Sequence, residues 1–452
     1  MWRRLSVLVL FGLLTVMNAH AAESAPPDAA MRLAHVEQVE GQRHDEGPLT
    51  LREAVAEALS RNLDLIALGR QLDTTRHRPA QERFLPPPTL EAQIWQWPLD
   101  TLNPWHTNMY MLMVSQEVLG RGKRALRTAL AEKDATLANF DVAVRARQVV
   151  DEVKQSYTDL FIARQAIAVY LASIDLLRQF ADVSQVKYTT GRISQQDVLK
   201  AVLELSRTHD DLITFQQQAD LARVRLNVLL NRAPDAPIGP LTSAGEAILT
   251  ASLADLQRLA VEQQPERRRA HAQVEQTEAQ LAVTKSDYKP DFSVTGGYLL
   301  MPNQTDAWLG RIGITWPRAP WSRGRIDARV AEATSAVETA KARERVTESL
   351  IRLAVQHAYV RVKAAEQRAA LLRTTILPQS RQTLDVSRVA YQTDRVEFLA
   401  LLDNERTLLD AQLEYFRAVS DQQQALADLE RALGADLSPA MTTPVVMSEV
   451  RP

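Results

Sequence analysis

Apolar residues recur every three or four positions over most of this chain, the spacing of helices with one or two buried stripes. The longest such run extends from Lys123 to Thr190 and contains neither Gly nor Pro. Within it Val150, Val153, Tyr157, Leu160, Arg164, Ile167, Leu171 and Ile174 alternate steps of three and four. That spacing predicts a heptad seam. Roughly 65 residues at about 1.5 Å each make a helix about 100 Å long, more than a globular domain requires.

Other elements are bounded by their punctuation. Thr50, with Glu53 three residues on, predicts a capping box for a helix running to about Phe84, stopped by Pro86-Pro87-Pro88, with Pro79 as a weak point. Alternating TLEAQIWQWPL (89–99) and NMYMLMVSQEV (108–118) predict two strands of a hairpin. The long helix follows and breaks at Tyr188-Thr189-Thr190-Gly191-Arg192; another runs from about Ser194 to Leu230, and 231–245 is loop. The pattern then restarts. A helix is expected from Leu253 to about Ser286, strands at 291–301 and 308–316, and a long helix from about Trp321 to Tyr391, kinked or interrupted at Pro378. A last helix spans about Glu397 to Leu433, with Gly434 as its cap.

The restart is a duplication. DVSQVKYTTGR (182–192) and DVSRVAYQTDR (385–395) share seven of eleven residues at an offset of 203. Pro88 aligns with Pro290, Arg121-Gly122 with Arg323-Gly324, and Leu230 with Leu433. The expected organisation is a signal peptide at 1–21, an extended linker at 22–48, repeats at 49–240 and 241–437, and a tail at 438–452. Each repeat reads short helix, hairpin, long helix, tight turn, short helix. Two short helices stacked end to end match one long one, so each chain would supply four helical columns, with both hairpins at one end and both turns at the other. Leu401, Leu408 and Tyr415 repeat every seven, as do Leu402, Leu409 and Phe416. Two adjacent seams suit a helix flanked on both sides in a closed ring. The remaining faces are polar, as a water-filled cylinder would need. Four strands cannot close a membrane barrel. Three chains would supply twelve, although the sequence itself does not fix that number.

Composition narrows the function. Arg3 and Arg4, the apolar run Leu5–Val16 and Ala19-His20-Ala21 form a secretory signal, too short to span a membrane. Its removal leaves 51 basic against 55 acidic residues, a formal charge of −4 that argues against nucleic acid. There is no Cys, hence no disulfide, thiolate metal site or lipid-bearing Cys. Past the signal no apolar run is expected to form a transmembrane helix, so a membrane role would need a β-barrel or a surface contact. The eight His share no metal-ligand spacing, and no hydrolase, zincin, P-loop or dinucleotide motif is present. We therefore expect no enzyme activity, cofactor or metal site.

The LTLREAVAEAL start with Asn62, the junction WPRAPWSRGRIDARVAEA, the ILPQSRQTLDVSRVAY segment and the two turn motifs, in duplicated order over about 49–437, resemble the TolC-type outer-membrane efflux factors. SQEVLGRGKR (115–124) is similar to their heavy-metal efflux branch. The resemblance implies a mainly α chain with a small membrane β-barrel: a homotrimer with an α-barrel crossing the periplasm and twelve strands in the outer-membrane lipid of a Gram-negative bacterium. It also implies a periplasmic adaptor and an inner-membrane resistance–nodulation–division pump as partners, or a type I secretion unit. A periplasmic coiled-coil scaffold or adaptor without a pore is the competing reading.

The candidate site is the tip, with a plain helix hairpin as the alternative. Gly191 supplies a positive φ cheaply, and Asp394 takes its place in the second repeat. Asp197 and Asp403 would each form a carboxylate ring in a trimer, able to act as a gate and cation filter, or they are simply solvated. By position Tyr391, Asp197 and Asp403 match the family's tip, and Tyr188 is the counterpart of Tyr391. Some members carry Arg where this chain has Val396 and Asp where it has Ala400; Arg192 or Arg395 could substitute from another register. Met109, Met111 and Met113 share a strand face; they are expected to be lipid-facing or packing residues, with a Cu(I)-binding thioether ladder as the sharper alternative. Trp95, Trp97, Trp105, Trp308, Trp316 and Trp321 are candidates for an aromatic girdle, or ordinary core aromatics.

Overall fold

The computed structural model describes residues 47–95, 107–242, 246–302, 304–393, 395–438 and 440–445. The signal peptide, Trp97, Trp105 and Asp394 lie outside these residues. The described residues from Pro48 onward form one compact unit.

The elements follow the duplicated order. The first repeat contains α1 (Leu51–Arg61), α2 (Leu63–Arg76), α3 (Arg78–Glu82), β1 (Thr89–Trp95), β2 (Met109–Val118), α4 (Lys123–Thr189) and α5 (Gln195–Leu229). After β3 (Glu246–Leu249), the second contains α6 (Leu253–Gln263), α7 (Pro265–Ser286), β4 (Phe292–Leu300), β5 (Ala307–Ile314), α8 (Arg323–Leu371), α9 (Leu377–Gln392), α10 (Phe398–Leu433) and β6 (Thr442–Val445).

Helix α4 has 67 residues, about 100 Å at the usual rise. In the second repeat the long column is α8 continued by α9 through one π turn, Leu372–Ile376. Pro378 lies in the first turn of α9. An α-helix would drive its ring into the carbonyl of Thr374. The wider turn just before it absorbs that clash, and the column continues where an interruption was possible.

The short helices depart from expectation. Each, expected to be continuous, is broken at the same repeat position, Asn62 and Gln264. Both residues are extended, at φ −62°, ψ 126° and φ −61°, ψ 119°. The side-chain oxygen of each accepts from the following helix, and its amide crosses to the end of a long neighbour. Asn62 Nδ2 donates to Leu229 O at 3.1 Å; Gln264 Nε2 donates to Arg431 O at 2.9 Å and Ala432 O at 3.1 Å. Carbonyls at a helix C-terminus lack intrahelical partners, and these two buried amides supply them. The first helix also breaks at His77 before α3.

The helices form one layer four columns wide. Nearest the hairpins the order is α1–α3, α4, α7, α8; nearest the turns it is α5, α4, α10, then α8 and α9. The seam of α4 drifts from the predicted heptad. Val150, Val153, Tyr157, Leu160 and Ile174 are buried, whereas Leu171 is exposed and Tyr170, Ser173 and Leu177 take over the line. Arg164 donates to Gly239 O at 2.6 Å and Ile238 O at 2.8 Å, tying down the loop. Contrary to expectation, one window of α4 is apolar enough by composition to cross a membrane; 44 % of it is buried among the other helices, as a core helix would be.

The two hairpins join through β2 and β4 into an antiparallel sheet of order β1-β2-β4-β5. The register pairs Leu112 with Ala92 and Tyr298, and Trp308 with Tyr298. One face therefore carries Leu90, Ile94, Tyr110, Leu112, Val114, Val294, Tyr298, Trp308, Ile312 and Ile314, and most of these large groups are exposed. The other face carries Glu91, Gln93, Ser115, Glu117, Thr295 and Arg311. Met109, Met111 and Met113 lie on this second face, so they are not part of the apolar one, and Met113 is buried against Gly297. Small β3 pairs with β6; β3 follows the expected loop at 231–245 and β6 lies within the expected tail at 438–452, and no strand was expected at either place.

Sheet and helices meet at a tight joint. Gly120 lies so close to the other repeat that a Cβ would stand 2.4 Å from Pro290 O. Asp291 accepts from Gly120 N at 2.7 Å and from the buried Lys123 ammonium at 2.8 Å.

Candidate functional site

Both tight turns lie at the far end of the columns from the sheet. Helix α4 ends in a left-handed Gly191, φ +70°, with Gly191 N donating to Tyr188 O and Arg192 N to Lys187 O, each at 2.9 Å. This pairing satisfies the last carbonyls of the helix. The second turn repeats it: Arg395 N donates to Ala390 O at 2.9 Å.

The starts of the returning helices differ. Ser194 and Asp197 form a capping box for α5: the Asp197 carboxylate accepts from Ser194 N at 3.3 Å and Oγ at 3.0 Å. Asp197 therefore serves the helix N-terminus, and half of its carboxylate is engaged locally. Glu397 starts α10 without a side-chain cap. Asp403 is exposed on α10.

The two tyrosines, equivalent in sequence, are treated unequally. Tyr188 is exposed, while Tyr391 is buried. Its ring lies 5.7 Å from that of Phe398, and the Lys187 ammonium sits 4.0 Å from its centroid while donating to Tyr391 O at 2.6 Å. A cation over a ring face is attracted by its quadrupole. Phe180, Leu177, Leu384, Leu401 and Leu402 complete this tip core. The turn of one repeat is thus locked to that of the other through Lys187 and Tyr391.

Between α5 and α10 runs a groove of about 550 Å³, lined by Lys200, Glu204, Arg207, Asp403 and Arg406 among others. Arg406 grips Glu204 through two nitrogens. Arg192 and Arg395, the basic residues expected to engage the tip acids, are both exposed. Glu204 and Arg406 were missed because they are remote in sequence and each sits in an ordinary charged stretch. Deeper in the seam, Glu405 is buried, and Ser173 Oγ donates to its carboxylate. Its place between Leu401 and Leu408 was a readable signal: a carboxyl at a core position of the repeat.

At the other end, Trp95 lies on the polar face of the sheet, and Trp308 on the apolar face, edge-on to Tyr298 at 5.2 Å. Trp316 and Trp321 meet edge-on at 6.0 Å just past β5 and are exposed. Among the described residues no group of three or more His, Asp or Glu could hold a metal ion.

Comparison with known proteins agrees with this geometry. Residues 256–435 match the family model "Outer membrane efflux protein". The chain is 25 % identical over 395 residues to the cobalt-zinc-cadmium resistance protein CzcC of Cupriavidus metallidurans, covering 87 % of this chain and 91 % of that one. Its fold matches the outer-membrane channel OprN with a TM-score of 0.72 at 20 % identity, over 85 % of this chain and 90 % of that one. It matches CusC, a structure described in terms of transmembrane channel formation, with a TM-score of 0.73 at 16 % identity, over 88 % and 96 %. The second repeat thus matches the outer membrane efflux protein family, and a likeness in sequence to CzcC and in fold to outer-membrane channels extends along most of the chain.

Proposed function

We propose that three copies of this chain close into a passive duct through the outer membrane and periplasm, gated at the helical tip. The observation that carries this reading is that the sheet and the helical layer both end on open edges. β1 and β5 each have one unpaired side among the described residues, and α5 and α8–α9 are the outermost columns. Exposed apolar residues line those columns: Leu221, Val224 and Val228 on α5, and Val346, Leu350, Leu353 and Val360 on α8, at helical-seam spacing. Open strand edges are not tolerated in lipid. Joining one edge of a copy to the opposite edge of the next satisfies both layers at once, and three copies give twelve strands.

The apolar sheet face then meets lipid and the polar face, with Arg311, Glu91 and the methionines, lines the lumen. Trp308 and Trp316 are eight residues apart, about 27 Å along a strand and about 20 Å after a tilt near 40°. This is close to the about 25 Å apolar band of membrane barrels, which supports Trp308, Trp316 and Trp321 as girdle residues. Trp95, on the other face, does not fit that role.

At the tip, Asp403 and Asp197 would form carboxylate rings, and the Lys187–Tyr391 lock would hold the turns together until an adaptor engages them. A periplasmic adaptor and an inner-membrane resistance–nodulation–division pump would supply the energy. The relationship to CzcC favours divalent metal cations as cargo. A poreless scaffold would have no use for a four-stranded sheet exposing one apolar face.

The test is conductance of the mature chain in a planar bilayer, compared with an Asp197→Asn/Asp403→Asn double variant. Asn retains an acceptor for the capping box. Small cation-selective currents that grow several-fold in the variant are expected. Unchanged currents would place the gate elsewhere, and no current from either protein, with the chain a soluble monomer, would overturn the duct.

A further inference from the structure

We propose that Glu405 is a proton-operated latch in the seam between α4 and α10: neutral, it lets the seam close, and ionised, it draws in water and loosens the turns that lead to the tip. The inference rests on the duct reading for its functional meaning.

The geometry is unusual for a carboxyl. Glu405 occupies a core position of the repeat of seven, between Leu401 and Leu408, and is only 3 % exposed. Ser173 of α4 donates to one oxygen, while Oε2 reaches no hydrogen-bond partner. A buried ionised oxygen without a donor is costly. A protonated one needs only a single acceptor.

The surroundings offer no compensating charge from inside the seam. From α4 comes Ser173, and α5 brings Glu204, another acid. From α10 itself, Asp410 is a further acid, and Arg406 is the cation that acts on Glu405 among the described residues. Arg406 points instead to the groove, where its guanidinium is taken up by Glu204. The buried face of α9 presents Leu377, Ser380, Leu384, Ser387 and Tyr391, without a carboxylate or a cation.

Burial is the main cause that pushes the Glu405 carboxyl up to about 7; the Ser173 bond opposes it, Glu204 and Asp410 add to it, and Arg406 opposes it. An acid whose packed value lies above its free value of 4.5 holds its proton more tightly when packed. The closed seam is therefore fully favoured below about pH 4.5, and that advantage is lost as pH rises to about 7. Glu405 stands seven residues from Phe398, about 10 Å along the helix, so loosening here reaches the Tyr391–Phe398 core directly.

The chain has no cysteine, so spin labels can be placed at Val186→Cys and Val389→Cys on the exposed sides of the two tip columns. In the reconstituted full-length protein, the label distances should widen between pH 5 and pH 8. The open-to-closed ratio should rise about tenfold or more, one pKa unit corresponding to a factor of ten. Glu405→Gln should hold the low-pH distances at both pH values. Glu405→Met, of similar length and uncharged, serves the same purpose should the amide variant fail to assemble. Equal widening in wild type and variants, or no widening in wild type, would overturn the latch. Conductance measured alongside separates the two ideas: label movement without current in any protein supports the latch and counts against the duct, whereas current that is flat with pH beside unmoved labels keeps the duct and overturns the latch.

Discussion

At the scale of single residues, the fold depends on a few buried polar groups that tie one element to another. Asn62 and Gln264 cap one helix and complete the end of another. Asn62→Ala or Gln264→Ala removes the cap and leaves buried carbonyls unpaired, each at a cost of about 1–3 kcal/mol. Urea unfolding should show lower midpoints, and Asn62→Asp, which keeps the cap but loses the crossing amide, should recover only part of the loss. Asp291 is the other such group. Asp291→Ala strands the Lys123 ammonium, whose side chain is 5 % exposed, and breaking a buried pair costs about 3–5 kcal/mol. Thermal melting should register that as a fall of several degrees, with Asp291→Asn milder because it still accepts from Gly120 N.

At the scale of elements, the π turn at Leu372–Ile376 is a response to Pro378 rather than a hinge. Pro378→Ala removes the ring and restores an N–H, so the segment can return to α-helical pairing. Hydrogen exchange should slow over 372–378 in this variant, with the fold and assembly retained. Faster exchange would mean that the wide turn has a cause other than the proline. The helices that flank the turns behave differently from each other: α5 begins with the Ser194–Asp197 box, whereas α10 begins uncapped. The α10 start is therefore the softer of the two, and it is the one that carries Asp403.

At the scale of the whole molecule, the open edges dominate. Leu350 and Leu353 on α8 are solvent-exposed in the single chain and would face α5 of a neighbour. Leu350→Glu/Leu353→Glu should leave the protomer's helix content unchanged and abolish the trimer, as read by light scattering of the detergent-solubilised protein. A persisting trimer would show that the ring closes through other surfaces. Substitution of Trp308 by Ser should weaken membrane retention more than substitution of Trp95, since only the former lies on the apolar sheet face.

The sequence by itself determined the duplication, the order of elements, the hairpin positions and the two turns, because each rests on local signals: period, Gly and Pro punctuation, and capping residues. The α4 seam was legible as a period but not as a partner list, so Leu171 was placed inside while the helix had already rotated toward a different neighbour. The break at Asn62 was invisible because no Pro or Gly flanks it, whereas Pro265 marked the one at Gln264; what holds both open is a carbonyl 167 residues away. The unequal fates of Tyr188 and Tyr391 were likewise undecidable from two nearly identical motifs. Only packing made one the centre of the tip core, since Lys187 and Phe398 come from opposite sides of the duplication. Glu204, Arg406 and Glu405 belong to the same class. Charge and period are written in the chain, but burial, which decides what a charge costs and what it can do, exists only once the helices meet.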